Sequence, residues 1–351
     1  MQVDCLIIGQ GISGTMLSYE FSKAGLSFAV MDDGNPSASS RVAAGMINPV
    51  TGRRIVKTWM IDTLLPFAFE TYGVLGKALN IEAIKETPLI DFFPNLQMRS
   101  AFFDRVNDIP EFLEEGSNGN DYEDFFHFHY GYGIIRPAYT VNTRALLPAW
   151  RNVLRKNGQL IETRFLPGSL EFTDEGVRYE SIQASKIICC NGIAGSDYPW
   201  FRNLPFAENK GQALVIEIPG LTGRNIFAKG LKMLPIGDNL FWVGSSYEWN
   251  FTEPGPTAEF RDKTMLQLKD WLKVPFRLVD HVAALRPATL ERRPFVGFHP
   301  QQPLLGIFNG MGTKGFSLAP YFANQFTNKI ITGAPIDPAA DIQRFNKVLA
   351  R

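Results

Sequence analysis

VDCLIIGQGISG, Val3 to Gly14, is followed by a helix-patterned segment ending at Gly25 and then by SFAVMDD, Ser27 to Asp33. The first six residues form a nearly continuous apolar run, the pattern of a strand buried on both faces of a parallel sheet. From Ser13 to Lys23, apolar residues including Met16, Leu17, Tyr19 and Phe21 recur at near-helical spacing, and Gly25 supplies the stop. A second apolar strand, Ser27 to Met31, ends on Asp32 and Asp33, with Asp32 18 positions beyond Gly14. The order is therefore strand, Gly-x-Gly-x-x-Gly, helix, strand, acid.

That order has a physical purpose. Gly9 permits the turn out of the strand, Gly11 allows backbone to approach a diphosphate, and Gly14 lets the helix pack on the strand. The start of the helix, at Ile12 and Ser13, offers free N–H groups and the positive end of the helix dipole to that diphosphate. Asp32, with Asp33 beside it, is expected to accept hydrogen bonds from ribose hydroxyls. The same carboxylate would repel a ribose phosphate, which argues against NADP.

Outward from this unit, 351 residues suit one large α/β unit or two interleaved domains. Hydrophobic residues at 45% and charged residues at 20% exclude a disordered or collagen-like chain. Thirty-five Lys and Arg balance 35 Asp and Glu, so the basic excess of a general nucleic-acid binder is missing. The 28 Phe suit either plain core or the enclosure of a flat ligand. Cys5, Cys189 and Cys190 are too few for a disulfide framework or a tetrahedral zinc site, and all sit in apolar runs. Met1 to Asp4 leads into the first strand without a signal-like basic and apolar region, and no apolar run reaches the roughly 18 residues of a membrane span. A soluble cytoplasmic protein is expected.

After the acids, Ser37 to Pro49 (SASSRVAAGMINP) interrupts the Rossmann alternation with small residues that can lie against a flat ligand. Here the sequence resembles the FAD-dependent D-amino-acid oxidase family, which includes glycine oxidase, sarcosine oxidase and the oxidase half of a bifunctional tRNA wobble-uridine modification enzyme. The resemblance implies FAD as cofactor, with Ser40, Arg41, Ala44, Gly45 and Met46 passing the flavin. KIICCNGIAG, Lys186 to Gly195, is similar to the family's strand and turn beneath the dinucleotide, which assigns Cys190, Asn191 and Gly192 to the cofactor. A backbone group near Phe165 is assigned to the adenine in the same way. Some relatives attach FAD through a cysteine near the carboxyl-terminal flavin contacts. No cysteine follows Cys190, so non-covalent FAD is expected.

Further along, Lys210-Gly211-Gln212 resembles the entry into the family's substrate-domain sheet, and Leu234-Pro235 with Phe241 to Glu248 its paired strands over the substrate. Ala284-Leu285-Arg286-Pro287 resembles a Gly-Leu-Arg-Pro motif whose arginine forks onto a substrate carboxylate, a task suited to a planar guanidinium. The chain departs from the family at Leu290 to Pro294, where many members carry an Asp-Gly turn. Near the end, Phe308 to Gly315 (FNGMGTKG) reads as strand, turn and helix start. By resemblance, Gly310, Met311, Gly312, Thr313, Lys314 and Gly315 face the flavin pyrimidine edge, where N–H groups and Lys314 would stabilise the charge of the reduced ring.

The middle, Pro66 to Pro137, lacks periodicity but is rich in aromatics: Phe92, Phe93, Phe102, Phe103 and Phe125 to Tyr130 are expected on strands roofing the flavin. His127 and His129 would share one strand face, yet no third ligand accompanies them and no metal is expected. The expected architecture is α/β: a Rossmann-type FAD-binding domain (residues 1–85, 138–209 and 285–351) interleaved with an antiparallel-sheet substrate domain (86–137 and 210–284). The expected function is oxidation of a C–N bond in a small amino acid or N-substituted glycine, by hydride transfer to flavin N5. Arg286 anchors the carboxylate, Tyr247 bounds the amine and Lys314 attends the flavin. One alternative removes a carboxymethyl group from a modified tRNA uridine. Another is a flavin-bound protein without turnover. The expected partner is a small amine or amino acid, with no membrane and no nucleic acid outside the tRNA alternative.

Overall fold

The computed structural model describes residues 1–52, 54–116 and 122–350. The opening apolar run forms the strand Gln2–Ile8, buried from Cys5 onward, because parallel strands flank it on both sides. The helix that follows, Ile12–Ala24, stops at Gly25, whose left-handed φ of 72° lets its N–H reach Phe21 O and Ser22 O. Leu160–Ile161, Phe28–Met31, Gln2–Ile8 and Ile182–Cys189 lie side by side in that order, all parallel. The end of Ile182–Cys189 also takes Gln302–Asn309 as a parallel neighbour, which brings the last strand beside the first turn. The helix Gly315–Thr332 leaves that strand and packs on Ile12–Ala24. The strand before Phe165, Leu160–Ile161, is only two residues long.

A second eight-stranded sheet runs from Arg277–Arg286 at one edge through Asn209–Glu217, Leu240–Gly244, Leu231–Gly237, Ile226–Lys229, Leu89–Phe92 and Tyr132–Ile135 to Leu113–Glu115. Its pairings are antiparallel except that between Ile226–Lys229 and Leu89–Phe92. The crossings expected at 209/210 and 284/285 fall inside the paired register that starts at Asn209↔Arg286.

Strand alternation decides what this sheet presents. Leu214, Ile216, Phe227, Met233, Phe241 and Val243 pack with Leu268 and Trp271 of the helix Ala258–Trp271. Their strand neighbours Lys232, Leu234, Trp242 and Gly244 line a cavity on the other face. This overturns the aromatic roof expected from the sequence. Phe92 stands 5.1 Å from Phe126, and Phe126 lies 4.7 Å from Phe227 and 5.2 Å from Trp271, all on the helix-covered face. Phe102 and Phe103 belong to a helix, Leu96–Val106, not to a strand. His127 and His129 lie in irregular chain, so they share no strand face. Among the described residues, no helix is long and apolar enough to cross a membrane.

Candidate active site

A cavity of about 850 Å³ opens between the C-terminal ends of the parallel strands and the bare face of the second sheet. That volume is in the range of an enclosed organic ligand. At the parallel-sheet end, the glycines form a cradle that side chains would fill. A Cβ on Gly9 (φ 100°) would sit 2.7 Å from Cys190 O, one on Gly14 1.8 Å from Gly9 O, and one on Gly11 3.1 Å from Ser40 Oγ. Gly11 is the helix N-cap and brings no capping side chain. Ser40 Oγ accepts from Ile12 N–H at 3.0 Å, and buried Ser13 lines the cavity beside it. Backbone can therefore approach a diphosphate closely here, and the residues fit a dinucleotide.

Asp32 is more occupied than the sequence suggests. Its Oδ1 accepts from Gly34 N–H (2.9 Å), Arg151 Nη1 (2.6 Å) and Arg41 Nη2 (3.3 Å), and its Oδ2 from Gln10 N–H (2.8 Å). A carboxylate offers about four acceptor positions, two per oxygen, so Oδ2 is the oxygen left for a ribose hydroxyl. Arg151, nearly buried, also donates to Asp32 O at 3.1 Å and to Glu162 at 3.1 Å. Hydrogen bonds from Arg155 first and Arg151 second hold the Glu162 carboxyl down to about 2. Arg41, assigned to the flavin, is placed elsewhere by the structure. Its guanidinium stands behind Asp32, beside Thr143 and Arg144, and does not line the cavity. Asp33 is exposed at the rim.

The other assigned positions converge. Ala44, Gly45, Met46, Phe165, Cys190, Asn191 and Gly192 all line the cavity. Gly45 (φ 81°) leaves no room for a side chain, since a Cβ would meet Val141 O at 2.1 Å. Burial pushes the Cys190 thiol well up, so it is not a nucleophile at neutral pH. From the last strand, Met311, Gly312, Thr313, Lys314 and Gly315 reach the cavity, whereas Gly310 (φ 76°) turns the chain behind them. Asn309 Nδ2 donates to Gly192 O at 2.8 Å and ties the two turns together. Lys314 is the N-cap residue of the helix Gly315–Thr332, and its Nζ donates to Thr58 Oγ1 at 3.1 Å. Burial pushes its ammonium down to about 8, with Lys232 repelling it further.

Arg286 ends its edge strand at the cavity, and the backbone oxygen of the next residue, Pro287, accepts from Gly312 N–H at 3.1 Å. Nη1 donates to Asn209 Oδ1 (2.6 Å) and Lys210 O (3.4 Å), and Nη2 to Ser245 Oγ (2.7 Å) and Ser246 O (3.1 Å). Its guanidinium lies flat across Gly211, where a Cβ would come within 1.8 Å of Nη2. The half-exposed Tyr247 ring sits 5.4 Å from the guanidinium carbon. The expected fork is thus held in place by four acceptors, of which Ser245 is the one whose residue lines the cavity. Sequence reasoning missed Asn209, Ser245, Arg151, Thr58 and Lys232. Gly211 was the available signal for the first two, because a bare backbone beside an arginine motif marks where a plane can lie.

Comparison with known proteins follows the same outline. The family model described as FAD dependent oxidoreductase (DAO) matches residues 4–328. Glycine oxidase of Pseudomonas aeruginosa is 22% identical over 360 aligned positions, covering 95% of this chain and 96% of the relative. Glycine oxidase of Pseudomonas putida is 30% identical over 145 positions, 39% of this chain and 38% of the relative. Among solved structures, glycine oxidase from Geobacillus kaustophilus matches with a TM-score of 0.80 at 16% identity, covering 97% of this chain and 98% of that one. Iminodiacetate oxidase from Chelativorans sp. BNC1 matches with a TM-score of 0.75 at 21% identity, covering 95% and 96%.

Proposed function

Because the chain belongs to the DAO family of FAD dependent oxidoreductases, we propose that it oxidises the C–N single bond of a small amino acid or N-substituted glycine. The observation that carries this reading is Arg286, a guanidinium fixed by four hydrogen bonds on the wall of the cavity that the Lys314 helix start also lines. When bound, FAD would supply the two-electron acceptor for this oxidation, and the substrate would be left as an imine for water to hydrolyse.

The chain's own residues supply binding and orientation. The first-turn N–H groups after Gly11 hold the diphosphate, Asp32 Oδ2 a ribose hydroxyl, and the backbone near Phe165 the adenine. The Met311 to Gly315 turn with Lys314 takes the pyrimidine edge of the ring. Arg286 receives the carboxylate on the cavity side, with Ser245 yielding its place, and Tyr247 closes the rim. Trp242, fixed through Nε1 to Val42 O at 3.1 Å, and Leu234 keep the sheet-side wall apolar and exclude water. No side-chain base is required, provided the amine arrives neutral and correctly placed.

Purified protein is expected to be yellow and to bleach anaerobically on adding one of glycine, sarcosine, iminodiacetate or the enantiomers of alanine and proline, followed by flavin absorbance. A flavin that none of these reduces sinks the reading.

Lys314 gives a second expected result. In cofactor-free protein its ammonium titrates near 8 rather than the ordinary 10.5. Between those values the unfolded chain binds more protons than the folded one, so stability rises with pH across that window. Below about 8 the buried charge costs the folded state on the order of 3 kcal/mol. Lys314→Met apoprotein should therefore melt several degrees higher at neutral pH and lose the rise in melting temperature between pH 8 and 10.5. It should also bind FAD more weakly. Parallel melting curves for the two proteins would contradict the assignment.

A further inference from the structure

We infer that the substrate side of the cavity carries a second anion subsite built on Lys232, and that the preferred substrate bears two carboxylates. This inference rests on the amino-acid oxidation proposed above and narrows its substrate class.

Lys232 lies on the cavity face of the strand Leu231–Gly237 and lines the cavity. The other two cations of this region are both engaged, Lys314 by Thr58 Oγ1 and Arg286 by its four acceptors. The Lys232 ammonium has no hydrogen bond or ion pair with any described residue. Asp91 lies two strands away, across Ala228 in the register, and acts on Lys232 only at a distance. It offsets part of the charge but takes none of the three N–H donors. Its three N–H donors are therefore available to an anionic group of a ligand in the cavity.

The placement fits a ligand already held by Arg286. Lys232 stands opposite Gly244 in the sheet, one strand spacing of about 4.8 Å away. The next residue, Ser245, is the one that Arg286 Nη2 touches at 2.7 Å. Gly244 must stay bare, because a Cβ there would lie 2.9 Å from Ala213 Cβ. Gly244, with the Trp242 ring packed close over it, therefore lies between Lys232 in the sheet and the Ser245 hydroxyl that Arg286 touches. The carboxylates that line the cavity among the described residues, Asp32 and Asp33, follow the strand Phe28–Met31 and belong to the ribose end. A substrate carboxylate on Arg286 would leave a second anionic group within the field of Lys232.

The test titrates the holoenzyme with the unreactive pair succinate and butyrate, which match in chain length and differ by one carboxylate, using calorimetry. Wild type is expected to bind succinate at least about tenfold more tightly. In Lys232→Met that ratio should fall to about one, with the butyrate Kd moving less than about threefold, whereas Arg286→Lys should weaken both ligands. Lys232→Gln serves the same purpose if the methionine variant folds poorly, and the flavin spectrum reports folding in each. Equal binding of the two acids by wild type overturns the inference, as does a Lys232 variant that weakens both alike. Loss of FAD with the ratio preserved would assign Lys232 to the cofactor and overturn it too. If the dicarboxylate preference holds while no amine or amino acid bleaches the flavin, the oxidation reading fails and the subsite stands.

Discussion

Arg286→Lys is expected to lower kcat/KM for the amino-acid substrate by about 10²–10³-fold, the loss that follows when one partner of a desolvated charge pair is removed. The size follows from the hydrogen bonds. A guanidinium has five N–H donors in one plane; Arg286 gives four of them to Asn209, Lys210 O, Ser245 and Ser246 O, leaving Nε–H without an acceptor among the described residues. An incoming carboxylate can take Ser245's place and still find the plane fixed by the other three acceptors. A lysine ammonium has three donors on a flexible stem and cannot satisfy those acceptors and a carboxylate together. Steady-state kinetics on FAD-saturated protein checks this, with the flavin spectrum as control. Activity within threefold of wild type would remove Arg286 from substrate binding.

The contrast between what the sequence carried and what it hid has a physical basis. Gly25 as a helix stop, Asp32 after the second strand and Lys314 at a helix start were legible because each role depends on neighbours a few residues away. Arg151 was not, because its partner Asp32 lies 119 positions earlier and an arginine inside an amphipathic helix looks like solvated surface. Arg41 was assigned to the flavin by its place in a motif. The structure turns it toward Asp32 and Gln10, as a buried carboxylate oxygen gathers the available donors. The aromatic run failed for a different reason. Composition shows that rings will be buried, but only strand pairing says on which face, and Phe92, Phe126 and Phe227 fell on the side covered by the helix Ala258–Trp271. Lys232 was invisible for the same reason, since alternation about Met233 sends one residue to core and its neighbour to the cavity.

Gly14→Ala should yield protein that retains its secondary structure but binds FAD at least about 10²-fold more weakly and purifies nearly colourless. A Cβ at Gly14 would lie 1.8 Å from Gly9 O and 3.0 Å from Gly9 C, and both are backbone. No rotamer change relieves such a contact, so the helix Ile12–Ala24 must move off the strand Gln2–Ile8. Overpacking of this kind costs about 1–3 kcal/mol even where side chains can yield. The displacement falls on the first helical turn, whose N–H groups would hold the diphosphate, so it misaligns donors whose value depends on direction. Gly25→Ala provides the comparison. Gly25 has a left-handed φ, 72°, which Gly14 inside the helix lacks, and a Cβ at Gly25 meets nothing within 4 Å. That substitution should cost about 1 kcal/mol of stability through backbone strain alone and leave FAD affinity unchanged. FAD content per chain and FAD titration of apoprotein, read beside circular dichroism, separate the two. If Gly14→Ala and Gly25→Ala bind FAD alike, the close packing of helix on strand is not what sets the diphosphate site.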